Sequence, residues 1–137
     1  MPDKQKAQIT MNHNAVTVTR LPETLNKKQE QNLLRELRPG LIVNRPCLVF
    51  DCSNLRHLDR TTLHLLLYCL EEAMKRNGDV RLAGLSPETT SLLRSMGVDR
   101  LFRIFDLSAD AERSFNRYLH DEALHKGPPD RPGEARQ

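Results

Sequence analysis

The chain has 137 residues, 28% of them charged, and a formal net charge of +3 from 21 basic and 18 acidic residues. That length suffices for one domain, and because aromatic residues make up only 4%, its core must consist mostly of Leu, Val and Ile. The basic residues are scattered, which argues against nucleic-acid binding. No apolar segment approaches the ~20 residues of a membrane span and no signal peptide is visible, so we expect a cytoplasmic protein.

The residue types that carry catalysis or bind metal form no recognisable set. Cys47, Cys52 and Cys69 are odd in number and form no C-x-x-C pair, which favours neither a disulfide framework nor a zinc site. The histidines lack metal-ligand spacing, the serines lack a His and Asp motif, and no glycine-rich phosphate loop is present. We therefore expect buried reduced thiols, no metal, no cofactor and no catalytic activity.

Two strands and a helix are predicted at the beginning of the chain. Residues 8–12 and 16–21 alternate weakly around turn-forming residues, which predicts an opening hairpin. Asn26 followed by Gln29 is a capping-box pattern, so a helix should begin there. Its apolar stripe consists of Leu33, Leu34 and Leu37. The pair Pro39-Gly40 should end it.

The middle of the chain predicts a strand, a helix and a second strand. Residues 46–52 (PCLVFDC) form an apolar run of strand length, typical of a strand covered on both faces. Residues 60–76 repeat apolar positions at helical spacing, and Asn77-Gly78 supplies a stop. The expected inward positions are Leu63, Leu66, Leu67, Leu70, Ala73 and Met74. Residues 79–83 (DVRLA) should form a strand parallel to the first, joined to it by a right-handed crossover.

The last part of the chain predicts two helices around one strand. Ser86-Pro87 should begin a helix that ends at Gly97, and residues 101–105 should form a strand. The first of these helices contains Leu92, Leu93 and Met96. Ser108 should cap the final helix. Its expected inward positions are Ala111, Phe115, Tyr118 and Leu119.

These elements predict one α/β domain. We divide the chain into a loose N-terminal segment (1–7), the domain (8–119) and a disordered C-terminal tail (120–137). The tail offers too little apolar surface to offset the entropy of ordering it. Within the domain we expect a mixed β-sheet of about five strands and about four helices, mainly on one side of the sheet.

Three stretches of the chain form a pattern that occurs in a known family. They are LVFDCSNLRHLD at residues 48–59, the leucine-rich helix that follows, and VRLAGLSPETTSLLRSMGVDRLFRIF at residues 80–105. This pattern resembles the STAS domain, the fold shared by sulfate transporter tails and bacterial anti-sigma factor antagonists. The family has an apolar strand ending in Asp, a short loop, and a helix that starts with Asp-Ser-Ser-Gly. The resemblance implies a STAS-like mixed sheet and a regulatory role in protein–protein interaction.

The helix start departs from that family pattern. Regulatory members carry a phosphoacceptor Ser or Thr directly after the Asp, whereas Arg60 follows Asp59 here. Thr62 replaces the Gly that commonly ends the motif, and Thr61 falls on its second hydroxyl position. Thr61 is therefore a candidate phosphorylation site, because phosphate is favourable at a helix N-terminus. The loop LPETLN at residues 21–26 lacks the Gly and Asp often found there.

The helix start also has a purely structural interpretation. As N-cap, Asp59 would accept from the N–H of Thr61 or Thr62, which is worth about 0.5–2 kcal/mol against Ala. Arg60 faces the positive end of the helix dipole, a small cost that Asp59 or an acidic partner would offset. Arg60 is thus either a tolerated surface residue or part of a docking surface. The predicted partner-binding residues are Arg56, His57, Asp59, Arg60, Thr61, Thr62 and His64.

Three functional hypotheses remain open at this point. The first is a non-catalytic, anti-sigma factor antagonist-like regulator whose partner is an anti-sigma factor or histidine-kinase-like ATPase. The second is a constitutive STAS adaptor subunit of an ATP-binding cassette lipid-transport complex, bound to its ATPase. The third is a module that binds an anionic ligand or nucleotide through the arginines around the turn. None of them involves nucleic acid or a membrane span.

Overall fold

The computed structural model describes residues 7–11 and 15–115. The strands are β1 (Gln8–Met11), β2 (Thr17–Arg20), β3 (Cys47–Asp51), β4 (Asp79–Ala83) and β5 (Arg103–Phe105). The helices are α1 (Lys27–Leu41), α2 (Arg60–Met74), α3 (Pro87–Ser95) and α4, described over residues 108–115. The strands form one sheet in chain order, antiparallel between β1 and β2 and parallel elsewhere. The predicted mixed α/β sheet is confirmed.

The two faces of the sheet bury different sets of side chains. Every residue of β3 is buried, as its continuous apolar run predicts. Leu48 and Phe50 belong to the core formed with α1, α2 and α3, whereas Val49 packs with α4. Ala111 and Phe115 of α4 are fully buried, as predicted. Three helices thus cover one face and α4 covers the other.

Arg81 of β4 attaches α4 to the second face. Its side chain is only 4% exposed, and its Nε lies 3.0 Å from Oδ2 of Asp79. Its Nη1 donates to Ser114 Oγ at 2.6 Å, and its guanidinium lies 3.9 Å from the centre of the Phe115 ring. Burial lowers the pKa of this guanidinium. The charge is tolerated in the core because it is paired and hydrogen-bonded.

Helix α1 continues past its predicted end. Pro39 and Gly40 lie inside the helix, which ends at Leu41. The proline removes one backbone hydrogen bond, but the buried Leu37 and Leu41 hold the last turn against the core. Gly40 allows the helix to approach β2, since a Cβ there would lie 2.9 Å from Oγ1 of Thr17. The prediction of an end at Pro39-Gly40 is wrong because packing outweighs the local preference.

The buried side of α2 differs in part from the predicted stripe. The residues buried as predicted are Leu66, Leu70 and Ala73. Leu63 and Leu67 are half-buried, and Met74 is 61% exposed, so its inward assignment is wrong. The buried residues outside the predicted stripe are Thr62, Leu65 and Cys69. This leucine-rich segment has several possible apolar faces. The contacts of α2 with β4 and α1 determine which of them is buried.

The remaining predictions for the second half of the chain hold with small changes, except that Ser108 is not the cap of α4: it is the first helical residue, and the Ala111 N–H donates to the Leu107 carbonyl at 3.2 Å. The Ser86 hydroxyl accepts from the Thr89 N–H at 3.1 Å and caps α3 as predicted. The last strand begins at Arg103 instead of residue 101, because Asp99–Leu101 form a 3-10 turn. The predictions that lie outside the described residues are the hairpin turn at residues 12–14, the inward positions Tyr118 and Leu119, and the tail 120–137.

The cysteines belong to the core, as predicted. Cys47, Cys52 and Cys69 are free thiols and all three are buried. Burial raises the pKa of Cys47 to about 11 and that of Cys52 and Cys69 to about 12. Because the thiolate is the reactive form, these side chains are chemically inert at neutral pH.

Candidate functional site

The predicted site lies where β3 ends and α2 begins. In the connecting loop, the Arg56 N–H donates to the Glu23 carbonyl at 3.0 Å. The guanidinium of Arg56 lies 3.6 Å from Oε1 of Glu23. Because Glu23 belongs to the segment between β2 and α1, the loops that precede α1 and α2 lie side by side at one edge of the sheet.

Asp59 is the N-cap of α2. Its backbone is extended, and its Oδ1 accepts from the Thr62 N–H at 2.9 Å. Its carbonyl accepts the first helical hydrogen bond, from the Leu63 N–H at 3.0 Å. The sequence predicted that the Asp59 carboxylate accepts from the N–H of Thr61 or Thr62, and the structure shows that the donor is Thr62. The helix start by itself therefore explains the carboxylate at this position.

Arg60 is the first residue of α2 and is exposed. The pairing with Asp59 considered from the sequence is not formed, and no other described residue forms an ion pair with this guanidinium. The first turn of α2 also contains no acidic residue. Arg60 is thus an uncompensated cation at the positive end of a helix dipole.

His64 joins the two helix starts. Its Nδ1 lies 2.5 Å from Oε2 of Glu30, which belongs to the first turn of α1. The histidine side chain is 63% exposed, whereas that of Glu30 is only 5% exposed. Sequence reasoning missed Glu30, because an acidic residue in a first helical turn is ordinary and its partner is 34 residues away.

The two threonines of the helix start have different surroundings. Thr62 is fully buried, and its Oγ1 has no hydrogen-bond partner among the described residues. Its contribution to the helix start is the backbone N–H that Asp59 accepts from. Thr61 is half-buried, so part of this residue is accessible to solvent. Arg56 and His57 are exposed in the loop before them.

Asp51, which ends β3, has a structural role. Its Oδ1 accepts from the Ser53 N–H at 3.0 Å, and its Oδ2 lies 3.5 Å from Nε of Arg20. Within residues 7–11 and 15–115, no three His, Cys, Asp or Glu side chains converge as a metal site. None of the helices in this described part combines the length and the apolar character needed to cross a membrane.

The topology and the helix-start site define the class of the protein. It is an α/β domain with an antiparallel opening pair of strands, parallel strands behind it, and two helix starts side by side at one edge of the sheet. The family model of the STAS domain matches residues 7–111. The chain belongs to the STAS domain family, which confirms the resemblance found in the sequence.

Several solved structures have the same fold. An anti-sigma-factor antagonist (STAS) domain protein from Planctomyces limnophilus is similar with TM-score 0.67 and 15% identity over 77% of this chain and 94% of that one. A putative anti-sigma factor antagonist from Thermotoga maritima gives TM-score 0.68 and 16% identity over 78% and 92%. The Bacillus cell fate determinant SpoIIAA in its phosphorylated form gives TM-score 0.62 and 16% identity over 78% and 97%. At these identities the likeness concerns the fold. The search of curated proteins returned no match.

Proposed function

We propose that this STAS domain is a non-catalytic regulator that binds a protein partner through the start of α2, in the manner of an anti-sigma factor antagonist. The observation that carries the proposal is Arg60, an exposed cation that no described residue pairs with, at the first position of a capped helix. The family match and the antagonist neighbours support this class of function. The expected partner is an anti-sigma factor or histidine-kinase-like ATPase in the bacterial cytoplasm.

The proposed α2 docking surface consists of the accessible members of the predicted set, Arg56, His57, Asp59, Arg60, Thr61 and His64. The seventh predicted residue, Thr62, is fully buried and cannot contact a partner directly; its N–H holds the Asp59 cap in place. Arg56 already has an acidic neighbour in Glu23, at 3.6 Å, and the Asp59 carboxylate is used by the helix cap. Arg60 therefore supplies the charge that a partner can still pair with. A partner group that is acidic and lies opposite Arg60 would gain from the arginine and from the nearby helix dipole.

The hydroxyl switch of the family would be altered in this protein. SpoIIAA occurs in phosphorylated and unphosphorylated forms, whereas the arginine after Asp59 has no hydroxyl to receive a phosphate. We propose Thr61 as the phosphoacceptor of this helix start, since Thr61 is half-exposed and Thr62 is fully buried. A phosphate on Thr61 would sit at a helix N-terminus, where negative charge is favoured. Intact-mass analysis of protein from its native host tests this assignment.

The docking test compares two charge reversals. The partner is captured with the full chain, identified, purified, and titrated by calorimetry against the wild type, Arg60→Glu and Arg100→Glu. Arg100 is the matched control because it is also exposed, pairs with no described residue, and lies beside Leu101, at the far end of α2. We expect Arg60→Glu to weaken binding about tenfold or more, and Arg100→Glu to have little effect. Unchanged affinity for Arg60→Glu would show that the arginine is only a tolerated surface residue.

A second variant separates the regulator from the constitutive adaptor. Arg60→Ser restores the hydroxyl that regulatory members of the family carry after the Asp. A switch kinase should phosphorylate that serine, which intact-mass analysis would detect, and phosphorylation should release the partner. If the partner is the ATPase of an ATP-binding cassette transporter, Arg60→Ser should stay unmodified and bound. The identity of the captured partner provides an independent check on the same distinction.

A further inference from the structure

We propose that the α2 docking surface continues into the groove between α1 and α2, and that this groove receives an acidic, partly apolar segment of the partner protein. The inference rests on the proposed function and adds the chemistry of the partner. Its basis is one stripe of side chains along α2, the shape and lining of the groove, and an excess of arginine along its rim.

One stripe of α2 connects the helix start to the groove. Its members recur every four residues along α2 and just beyond its end: the exposed Arg60, His64 and Tyr68, followed by the half-buried Glu72 and Arg76. The rings of His64 and Tyr68 stack with centroids 6.3 Å apart and planes inclined by 25°. His64 belongs to the docking surface, and Tyr68 lines the groove. A partner that contacts Arg60 and lies along α2 therefore reaches the groove without leaving the helix.

The groove has an apolar part and a basic part. It encloses about 360 Å³ between the two helices. Its apolar part includes Leu34, Ile42 and Tyr68, of which Ile42 is 57% exposed and Tyr68 39% exposed. Its basic part is formed by Arg35, Arg38 and Arg76. Exposed apolar and aromatic surface beside basic side chains is the composition of a protein-binding site.

The arginines are only partly neutralised by the chain itself. Arg35 reaches the neutral Oδ1 of Asn32 at 3.3 Å, and the Arg38 side chain contacts no acceptor among the described residues. Arg76 reaches Oε1 of Glu72 at 3.4 Å, but Lys75 lies at 3.0 Å from the same carboxylate. The hydrogen bond from Lys75 lowers the pKa of Glu72. The one acidic side chain among the groove-lining residues is thus shared by two cations, which leaves a positive excess.

Helix stabilisation does not account for this excess. Arg38 lies in the last turn of α1, where a cation offsets the helix dipole. Arg35 lies earlier in the same helix, beyond the reach of that effect, which falls off within the last turn. A small anion would make no use of the exposed Tyr68 and Ile42 beside the arginines. A segment that carries both acidic and apolar side chains complements both parts of the groove.

The test uses a defined probe and a matched pair of variants. A fluorescein-labelled peptide of alternating Glu and Leu is titrated with the full chain and followed by anisotropy, alongside a Lys and Leu peptide of equal length. Arg38→Glu is compared with Arg94→Glu, because both arginines are exposed and lie in the last turn of a helix. Arg94 differs in having Oδ2 of Asp99 at 4.0 Å, so circular dichroism must show that Arg94→Glu is folded. We expect the acidic peptide alone to bind, Arg38→Glu to weaken it about fivefold or more, and Arg94→Glu to change it less than about twofold.

Tyr68→Ala and pyrophosphate distinguish a peptide site from a small-anion site. In the proposed site Tyr68→Ala weakens the acidic peptide severalfold without changing any charge, and pyrophosphate displaces it only at high concentration. The proposal is overturned if Tyr68→Ala has no effect while pyrophosphate displaces the peptide readily. It is equally overturned if the acidic peptide does not bind, if both peptides bind alike, or if Arg38→Glu and Arg94→Glu give the same affinity.

The natural partner then separates this inference from the proposed function. Loss of partner affinity in Arg60→Glu with full affinity in Arg38→Glu would overturn the groove and leave the α2 docking surface intact. Loss in Arg38→Glu with full affinity in Arg60→Glu would overturn the docking surface and support the groove. Loss in both supports the continuous surface, provided that circular dichroism shows both variants folded.

Discussion

The starts of α1 and α2 lie side by side, but they are built differently. At α1, the Asn26 side chain accepts from the Gln29 N–H at 2.8 Å, and the Gln29 side chain accepts from the Asn26 N–H at 2.9 Å. Glu30 adds an acidic residue to the first turn. At α2, Asp59 accepts from one N–H and the first turn contains no acidic residue. Both helices begin with an exposed cation, Lys27 in α1 and Arg60 in α2, but only α1 has an acidic residue in its first turn to offset it.

The difference separates a helix start that serves only folding from one that is free to serve binding. The α1 start satisfies its backbone groups reciprocally and places its acidic residue where the dipole favours it. The α2 start keeps the essential cap but has no acidic residue in its first turn to offset the cation at its first position. Breaches of local preference at otherwise consistent elements are expected at functional sites. The contrast thus supports the α2 start as the docking surface.

The largest effect should come from the core beneath both helices. Leu37 of α1 is 1% exposed and Leu66 of α2 is 0% exposed. Replacing either by Ala should lower the free energy of unfolding by about 2–5 kcal/mol, through lost burial and the cavity left behind. Urea unfolding followed by circular dichroism measures both. A negligible shift for one of them would mean that the two helices do not share one core and that their starts cannot be compared on equal terms.

Alkaline pH should affect α2 more directly than α1, because Cys69 lies on the buried side of α2. Burial raises the pKa of Cys69 to about 12, whereas the unfolded thiol titrates near 9.0. The stabilising contribution is present below about pH 9 and is lost as the pH rises toward the folded value, at about 1.4 kcal/mol per pH unit. Urea unfolding between about pH 9 and about pH 11 should show a shallower decline for Cys69→Ala than for the wild type. Equal slopes would contradict the raised pKa.

The two caps should be of similar importance despite their different design. Asn26→Ala and Asp59→Ala should each cost about 0.5–2 kcal/mol, since each removes the side-chain acceptor of one first-turn N–H. Thermal unfolding of the two variants and the wild type provides the measurement. A neutral Asp59→Ala would show that this carboxylate does not stabilise α2, and would leave partner binding as the explanation for its position.

The smallest effect concerns the first residue of each helix. Lys27 and Arg60 are both exposed cations at the first helical position. Lys27→Glu and Arg60→Glu should each stabilise the fold by about 0.3–1 kcal/mol, because an acidic residue suits the positive end of the dipole. Denaturation at low ionic strength would reveal both gains. If Arg60→Glu destabilises the fold instead, the arginine has a structural role and its exposed position is not evidence for docking.

Elements with a strong local signal were predictable from the sequence. The alternation of strands and helices, the buried β3, and the caps Asn26, Asp59 and Ser86 follow from hydrophobic periodicity and short-range hydrogen bonding. The departure of Arg60 from the family pattern was equally visible in the sequence, because recognising it requires only the identity of the residue after the Asp59 cap. Such features depend on residues within a few positions of one another, so the sequence alone determines them.

Features that depend on distant residues were decided by the tertiary structure. The continuation of α1 through Pro39 requires packing against the core, and the choice of buried side on α2 requires the positions of β4 and α1. The contact of Glu30 with His64 and the burial of Arg81 under α4 join residues more than thirty positions apart. Hydrophobic periodicity predicts that a helix or strand has an apolar face, but it does not predict which other element packs against that face. Only the folded arrangement brought the arginines of α1 and the stripe of α2 together into one groove.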